Sequence, residues 1–238
     1  MRILPGILLL SLVLVTACKK EDPAFSGAKV LSATNLRAGF VDTYTYNGDN
    51  NIAIITNNSG DHTTFTYRGD TVIMESLING TVVASATVYL LRGDAYADTS
   101  YGLYQAQNSS ANYTYDGNGQ LTRQENYAYG SLTSTSALTL TNKNATKVVN
   151  DNITAGTQTR YDYAYNTTLN TIGNQNFGKG FLGVGNLYLP TTRVQLNQNG
   201  DTLGIVNYRY GLDDNSRVAL MTSYDRNGAL VDSIAYTY

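Results

Sequence analysis

Apolar and polar residues alternate with a period of two along most of the chain beyond residue 40, and clusters of Gly, Asn and Asp separate the alternating runs. Successive side chains of a β-strand point to opposite faces, so this pattern predicts strands joined by tight turns. We therefore predict an all-β fold, a long antiparallel meander that forms a strongly curved sheet or a closed or half-open barrel. Curling or closing removes the exposed edges of such a long sheet.

A degenerate repeat recurs within the predicted meander: Tyr-x-Tyr, then a turn rich in Asx and Gly, then an aliphatic residue. The fullest copy is YTYDGNGQL at residues 113–121, and YTYNGDNNI at residues 44–52 is a second one. Residues i and i+2 of a strand share one face, and Asn and Gly tolerate the positive φ angles of tight hairpins. Each copy therefore predicts a hairpin that carries two tyrosines on the same face.

The first residues have the pattern of a lipoprotein signal. Arg2 precedes an apolar run over residues 7–15, and small residues lead to Cys18, the one cysteine of the chain. The apolar run is too short for a finished membrane span, and Cys18 directly follows the predicted cut, where its thiol can accept a lipid. We predict a signal peptide at 1–17, a lipidated tether at 18–27 and a single all-β domain at 28–238.

Charge and cysteine content exclude some functions. The chain has 16 basic and 18 acidic residues, a formal net charge of −2, which offers no electrostatic attraction to nucleic acid. A single cysteine cannot form an intramolecular disulfide, so the domain depends on burial and strand pairing for its stability. The expected partner is the membrane, through the lipid anchor, and no nucleic acid is expected; protein partners stay open.

The repeat resembles the YD repeats of Rhs-type shells. The order of motifs is also similar to that of a DUF4595-like group of Bacteroidota lipoproteins of unknown function: a tyrosine-rich strand, an Asn- and Gly-rich insertion, an aromatic-Leu-Pro sequence and closing hairpins. Residues 161–165, 174–182, 186–190 and 208–238 follow that order here. The resemblance implies a long curved or barrel-like sheet, described as porin-like or compared with lipid carriers, and it assigns no catalytic residues.

The acidic residues behind the predicted lipid site bear on location. Glu21 and Asp22 follow Cys18 closely and resemble the export signal that sends Bacteroidota-type lipoproteins to the outer face of the outer membrane. The resemblance implies a protein that is lipid-anchored in the outer membrane and faces the cell surface rather than the periplasm. A charged tether between lipid and domain is the simpler interpretation of the same residues.

Motifs with catalytic or metal-binding chemistry are incomplete. His62 is the single histidine and lies in a predicted turn, where an imidazole base is neither buried nor oriented. GKGFLG at residues 178–183 matches G-x-G-x-x-G but lacks the strand-to-helix context of a dinucleotide site. Residues 116–120 begin like a calcium loop whose twelfth position is Tyr127 instead of Glu. We predict no enzyme activity, no cofactor and no metal site.

The aromatic composition bears on ligand binding, because the chain has 20 tyrosines, 5 phenylalanines and no tryptophan. Tyrosines can line a ligand surface or pack along a sheet without any ligand. The long glycine-rich loop that carries Phe177, Phe181 and Tyr188 is the predicted ligand-binding element, because such a loop usually covers or enters something. These observations favour a non-enzymatic, membrane-anchored envelope protein that binds or carries an apolar or glycan ligand.

Two alternatives remain open from the sequence. One is a structural surface-display protein that has no small-molecule ligand. The other is a membrane-spanning β-barrel, which needs uniformly apolar outward strand faces. The predicted strands repeatedly carry Thr, Asn, Ser and Gln, which argues against such faces.

Overall fold

In the part of the chain that the structure describes, sixteen β-strands form one antiparallel sheet that closes on itself. The computed structural model describes residues 28–79, 82–93, 95–103 and 108–238. The strands are β1 (Ser32–Asn35), β2 (Val41–Tyr46), β3 (Ile52–Asn57), β4 (His62–Arg68), β5 (Thr71–Ile78), β6 (Val82–Leu91), β7 (Ala97–Leu103), β8 (Ser109–Tyr115), β9 (Leu121–Ala128), β10 (Ser131–Thr141), β11 (Asn144–Asn152), β12 (Thr157–Leu169), β13 (Tyr188–Asn197), β14 (Thr202–Leu212), β15 (Val218–Asp225) and β16 (Leu230–Thr237). Because β1 pairs with β16, the sheet has no free edge strand.

The two ends of the barrel differ in what they carry. β1 begins and β16 ends at the same end, which we call the terminal end; the opposite end is the distal end. Since the strands alternate in direction, turns after even-numbered strands lie at the terminal end and turns after odd-numbered strands lie at the distal end. The long connection between β12 and β13 therefore belongs to the terminal end, and it contains a short 3-10 turn, Gly180–Leu182.

The Tyr-x-Tyr-Asx-Gly repeat folds into one recurring hairpin turn. The side-chain oxygen of Asn47 accepts the backbone amides of the residues two and four positions later, each at 3.0 Å. Asp116 does the same at 2.9 Å. The residue three positions later has a positive φ, 60° at Asn50 and 78° at Gly119, which Asn and Gly tolerate. The same side-chain bonds recur at Asn57, Asn197, Asp213 and Asp225.

One face of every strand points into the barrel. Phe181, in the β12–β13 connection, contacts the rings of Phe65, Tyr67 and Tyr89 from inside. Residues directly opposite each other on antiparallel neighbours share a face, so the pairing register assigns the remaining strands from these three. The inward tyrosines are Tyr44, Tyr46, Tyr67, Tyr89, Tyr113, Tyr115, Tyr161, Tyr163, Tyr165, Tyr208, Tyr210 and Tyr236.

The outward face mixes threonines, aliphatic residues and ion pairs. Arg160 and Asp162 form an ion pair of 2.8 Å along β12, with side chains 37% and 38% exposed. Arg123 and Glu125 form a second pair of 2.9 Å along β9, and Glu125 also accepts a hydrogen bond of 2.9 Å from the Tyr127 hydroxyl. The outward faces of β9 and β12 therefore carry charged side chains.

The structure confirms the predicted all-β fold, and the sheet takes the closed form of the predicted barrel. The alternating pattern does not predict β1, which is SATN, or β7, which is ADTSYGL. Both strands are poor in the β-branched and aromatic residues that favour strands, so pairing with their neighbours makes them strands. The predicted signal peptide at 1–17, the lipidation of Cys18 and the tether at 18–27 lie outside the described residues.

Candidate functional site

Residues 170–187, between β12 and β13, fold across the terminal end of the barrel, and we call this segment the plug. Its hydrogen bonds reach turns on several sides of that end: Ile52 N–H to the Gly178 carbonyl at 3.0 Å, Val184 N–H to the Gly119 carbonyl at 2.8 Å, Leu187 N–H to the Lys143 carbonyl at 3.1 Å, and Val218 N–H to the Thr171 hydroxyl at 2.9 Å. Because these turns lie around the circumference, the plug covers the terminal end.

Aromatic contacts hold the plug inside the barrel. Phe181 is 7% exposed and packs with Ile52, Phe65 and Val72 in the buried apolar cluster. Its ring centroid lies 5.1 Å from that of Tyr89, in an edge-on arrangement that aromatic pairs favour. Phe177 makes a similar contact of 5.1 Å with Tyr44. The plug therefore fills the lumen beside β2 to β6.

Glycines allow the plug to approach the barrel wall. A Cβ atom on Gly178 would lie 2.6 Å from the Ile52 nitrogen, and a Cβ atom on Gly183 would lie 2.8 Å from the Gly119 carbonyl oxygen. Gly183 also has φ 88° and ψ 178°, a conformation that is essentially restricted to glycine. A Cβ atom on Gly180, by contrast, would meet open space. The G-x-G-x-x-G match at 178–183 thus has a packing explanation in the close approach of the plug to the wall.

The wall formed by β12 and β14 is lined by tyrosines that solvent reaches. Tyr161, Tyr163 and Tyr165 on β12 and Tyr208 and Tyr210 on β14 point inward, and all are partly exposed. In a closed barrel an inward side chain can reach solvent only through the lumen. Side chains therefore do not fill the lumen at this wall, and we call these five residues the tyrosine wall.

Two hydroxyl groups of the tyrosine wall are hydrogen-bonded to the backbone and stay protonated at neutral pH. The Tyr165 hydroxyl donates to the Ala145 carbonyl and the Tyr210 hydroxyl to the Pro190 carbonyl, both at 2.8 Å. Burial raises the pKa of Tyr165 and of Tyr210 above the ordinary value of 10.0, and nearby tyrosines raise it further. Both side chains are therefore uncharged at neutral pH and present aromatic faces to the lumen.

Amide and hydroxyl side chains line the lumen closer to the distal end. The Gln124 amide donates to the Asn126 side-chain oxygen at 2.7 Å, and the Asn126 amide donates to the Ser134 hydroxyl at 3.0 Å. The side-chain oxygen of Asn150 is buried and has no hydrogen-bond partner. Further inward polar side chains are Ser136 on β10, Thr159 on β12, and Gln195 and Asn197 on β13. This part of the lumen offers donors and acceptors to a polar ligand.

A cavity of about 330 Å³ lies at the distal end, beside β3, β4 and β5. Asp42, Asp61 and Ser76 are among the residues that line it. His62 is also at its margin, and as the first residue of β4 it pairs with outward positions of β3 and β5. Aliphatic side chains line it as well, so the cavity is a recess of mixed polarity at the distal rim of the barrel.

The predicted ligand-binding residues lie in and beside the plug. Phe177 packs against the inner wall at Tyr44 and is partly exposed, whereas Phe181 packs against the inner wall at Tyr89 and is buried. Tyr188 begins β13 at the foot of the plug, and its N–H donates to the side-chain oxygen of Asn144 at 2.9 Å. The predicted loop does enter the barrel. Ligand binding by these three residues stays a prediction.

Sequence reasoning missed Arg193 as a residue of the candidate site. Arg193 lies opposite Tyr163 on β12 and Val206 on β14, and therefore faces the lumen. Its guanidinium carbon is 5.4 Å from the centroid of the Tyr161 ring. The available signal was a polar face of β13, shared by Arg193, Gln195 and Asn197, but alternation alone does not tell which face points inward.

The candidate calcium loop at residues 116–120 is a hairpin turn that uses its own carboxylate. Besides the two backbone amides, Asp116 accepts a hydrogen bond of 3.2 Å from the Asn118 side chain. In the described part of the chain no three His, Cys, Asp or Glu side chains are grouped so that they could hold a metal. The same residues contain no helix with the length and hydropathy of a membrane span.

Comparison with solved structures identifies the fold. A porin-like protein from Bacteroides uniformis superposes with a TM-score of 0.67 at 16% identity, covering 88% of this chain and 97% of that one. The chain has the fold of these porin-like proteins. A second, from Bacteroides vulgatus, gives a TM-score of 0.62 at 16% identity and covers 89% of this chain and 99% of its own. No protein-family model matches the sequence, and no curated protein does.

Proposed function

We propose that the protein is a non-enzymatic, lipid-anchored protein of the cell envelope that holds a ligand in its barrel lumen. The tyrosine wall carries this proposal, because its aromatic side chains point into a closed barrel and still contact solvent. Since the plug covers the terminal end, a ligand reaches these side chains from the distal end. The motifs that resemble catalytic or metal sites, residues 178–183 and 116–120, serve packing and turn formation.

The anchor and the lumen opening are at opposite ends in this proposal. β1 begins at the terminal end with Ser32, so a lipid on Cys18 tethers the barrel from that side and leaves the distal end free. The acidic residues after Cys18 favour an outer-membrane location that faces the cell surface. Protease treatment of intact cells tests this orientation, because a surface-facing domain is degraded and a periplasmic one is protected.

A glycan fits the lumen better than an apolar ligand. The apolar side chains of β3 to β5 already pack against Phe181 of the plug, so they are covered. The part of the lumen that remains combines aromatic faces with amides and hydroxyls, such as Asn126 and Asn150. Aromatic faces stack on sugar rings, and buried polar groups bind hydroxyls. We therefore favour a saccharide as the ligand.

A lipid carrier is the second candidate function, and the distal rim favours it. Exposed large apolar side chains are concentrated on the distal turns and strand ends, including Phe40 at 60% and Tyr129 at 84% exposure. Others at this end are Leu36, Ile78, Ile153, Leu203, Leu230 and Val231. Exposed apolar residues of this kind mark surfaces that contact partners or lipid.

The outward face supports a barrel that lies beside the bilayer instead of across it. A spanning barrel presents an apolar outward band, and charges in that band are destabilising. Here the Arg160–Asp162 and Arg123–Glu125 pairs lie on the outward face. We expect the unlipidated Cys18→Ser protein to be recovered in buffer without detergent. Recovery only in detergent would support the membrane-spanning alternative.

Saccharide and fatty-acid binding, measured on the mature protein, tests the proposed function. A glycan array followed by isothermal titration identifies the saccharide, and laurate is the fatty-acid probe. Tyr208→Ala, which removes an inward ring, is expected to weaken saccharide binding, whereas Tyr224→Ala, which removes an outward ring on the next strand, is the matched control. Laurate binding alone would support the lipid carrier. If neither class binds, the surface-display alternative without a ligand is favoured.

A further inference from the structure

Arg193 is a cation placed inside the barrel. It lies on β13 between Tyr163 and Val206 of the neighbouring strands, all facing the lumen. The guanidinium group lies over the Tyr161 ring, 5.4 Å from its centroid, and the Nε atom is buried without a hydrogen-bond partner. The arginine is therefore held by the aromatic contact and by a side-chain hydrogen bond with Tyr163, while its Nε–H has no partner.

No carboxylate within the described residues forms an ion pair with Arg193. Two arginines on the outward face do form such pairs, Arg160 with Asp162 at 2.8 Å and Arg123 with Glu125 at 2.9 Å. Arg193 pairs with Val206 on β14, and Val206 pairs with Asp225 on β15, so Asp225 is an inward carboxylate two strands from Arg193. Its Oδ1 atom accepts two backbone amides of its own turn, both at 2.8 Å. Arg193 thus lacks a counter-charge from the described wall.

An anion on the ligand would supply the missing partner. Partial burial of a guanidinium group costs free energy unless a charged or hydrogen-bonding partner compensates. The planar guanidinium matches a carboxylate in two parallel hydrogen bonds, which are stronger than neutral ones. The aromatic faces of Tyr161 and Tyr208 lie on both sides of the β13 strand and suit a sugar ring.

We propose that the lumen binds an acidic saccharide whose carboxylate pairs with Arg193 while the tyrosine wall stacks on its ring. This inference rests on the proposed saccharide-binding function and specifies the chemical class of its ligand. The contribution of Arg193 is separable from that of the tyrosines, because a guanidinium group distinguishes a carboxylate from its neutral ester and a tyrosine ring does not.

Isothermal titration with a matched pair of probes tests the charge contact. The probes are trigalacturonate and its methyl ester, which differ in charge and share the sugar rings. Arg193→Gln is expected to weaken trigalacturonate binding about 10- to 100-fold, the value of a hydrogen bond to a charged group, and to leave the methyl ester unchanged. Arg209→Gln is the matched control, because Arg209 lies on β14, faces outward and stacks over Tyr224 at 4.9 Å.

Several outcomes would overturn the inference. Equal binding of trigalacturonate and its ester by the wild type would remove the role of charge and leave the proposed saccharide function intact. Equal weakening of both probes in Arg193→Gln would assign Arg193 a role in packing only. Binding of laurate in place of trigalacturonate, lost in Arg193→Gln, would show that the carboxylate comes from a lipid and would contradict the saccharide.

Failure of both saccharide probes to bind counts against the proposed function. In that case, a thermal measurement still tests the role of Arg193. Monomeric galacturonate, compared with chloride at equal ionic strength, is expected to raise the unfolding temperature of the wild type and of Arg209→Gln but not of Arg193→Gln. An equal response of all three proteins would show that Arg193 binds no carboxylate in the lumen.

Discussion

Replacing Gly183 with alanine tests whether close backbone contact holds the plug in the barrel. Gly183 has φ 88° and ψ 178°, and a Cβ atom there would lie 2.5 Å from the Tyr115 ring and 2.8 Å from the Gly119 carbonyl oxygen. The neighbouring Val184 N–H donates to that same carbonyl at 2.8 Å. Alanine therefore strains its own backbone and pushes the plug away from the β8–β9 turn.

The size of the effect follows from the conformation. A non-glycine residue in this φ/ψ region costs on the order of 1–3 kcal/mol, before the contact with the Gly119 carbonyl is added. If the plug opens independently of the barrel, lowering its opening free energy by about 1–3 kcal/mol makes amide hydrogen exchange in the plug about 5- to 150-fold faster. Gly180→Ala in the same segment is the control, because its Cβ meets open space and its φ lies outside the left-handed region.

Amide hydrogen exchange followed by NMR measures this opening at single residues. Val184 N–H and Ile52 N–H both bond across the boundary between plug and turns, to Gly119 and Gly178 respectively. We expect faster exchange at Val184 in Gly183→Ala than in Gly180→Ala. Indistinguishable exchange rates in the two variants would refute the argument that backbone contact at Gly183 retains the plug.

Further predictions concern the plug anchor, the inner tyrosines and the outer surface. Phe181→Ala is expected to destabilise the docked plug by about 3–5 kcal/mol and to make it accessible to trypsin. Phe40→Ala, at a residue 60% exposed, is expected to leave cleavage unchanged. Equal cleavage of the two variants would contradict this prediction. Burial raises the pKa of Tyr67 and Tyr89 from 10.0 to about 12. The unfolded chain then loses these protons first as pH rises, so the tyrosine contribution to stability is intact below about pH 10 and is lost towards about pH 12. Tyrosinate absorbance follows the titration, since the chain has no tryptophan, and the absence of a fraction of tyrosines that titrates near pH 12 would contradict burial of these rings. Asp162→Asn is expected to change the free energy of unfolding in urea by less than about 1 kcal/mol, because its ion pair is partly exposed; a larger loss would show that the pair is structural.

The hairpins of this barrel follow from short-range chemistry. Asn47 and Asp116 bond to amides only two and four residues away, and Asn50 and Gly119 supply the positive φ that closes each turn. All the atoms involved lie within five residues of sequence. The antiparallel order of neighbouring strands could therefore be predicted, and the predicted all-β fold is confirmed.

The inward face of each strand could not be predicted in the same way. On β13 the polar residues Arg193 and Gln195 face the lumen, and the apolar residues Val194 and Leu196 face outward. An ordinary sandwich core would place these two sets in the opposite arrangement. Alternation fixes which residues share a face, but the choice of face depends on strands that are distant in sequence.

The amino-acid sequence by itself determined the strands, the turns between them and the pairing of sequential neighbours, because those features depend on backbone preferences and contacts within a few residues. Only the tertiary structure decided that β1 closes on β16, that Phe181 enters the lumen, and that Arg193 stands among tyrosines. Each of these joins segments far apart in the chain, and such contacts form only when the closed sheet brings them together.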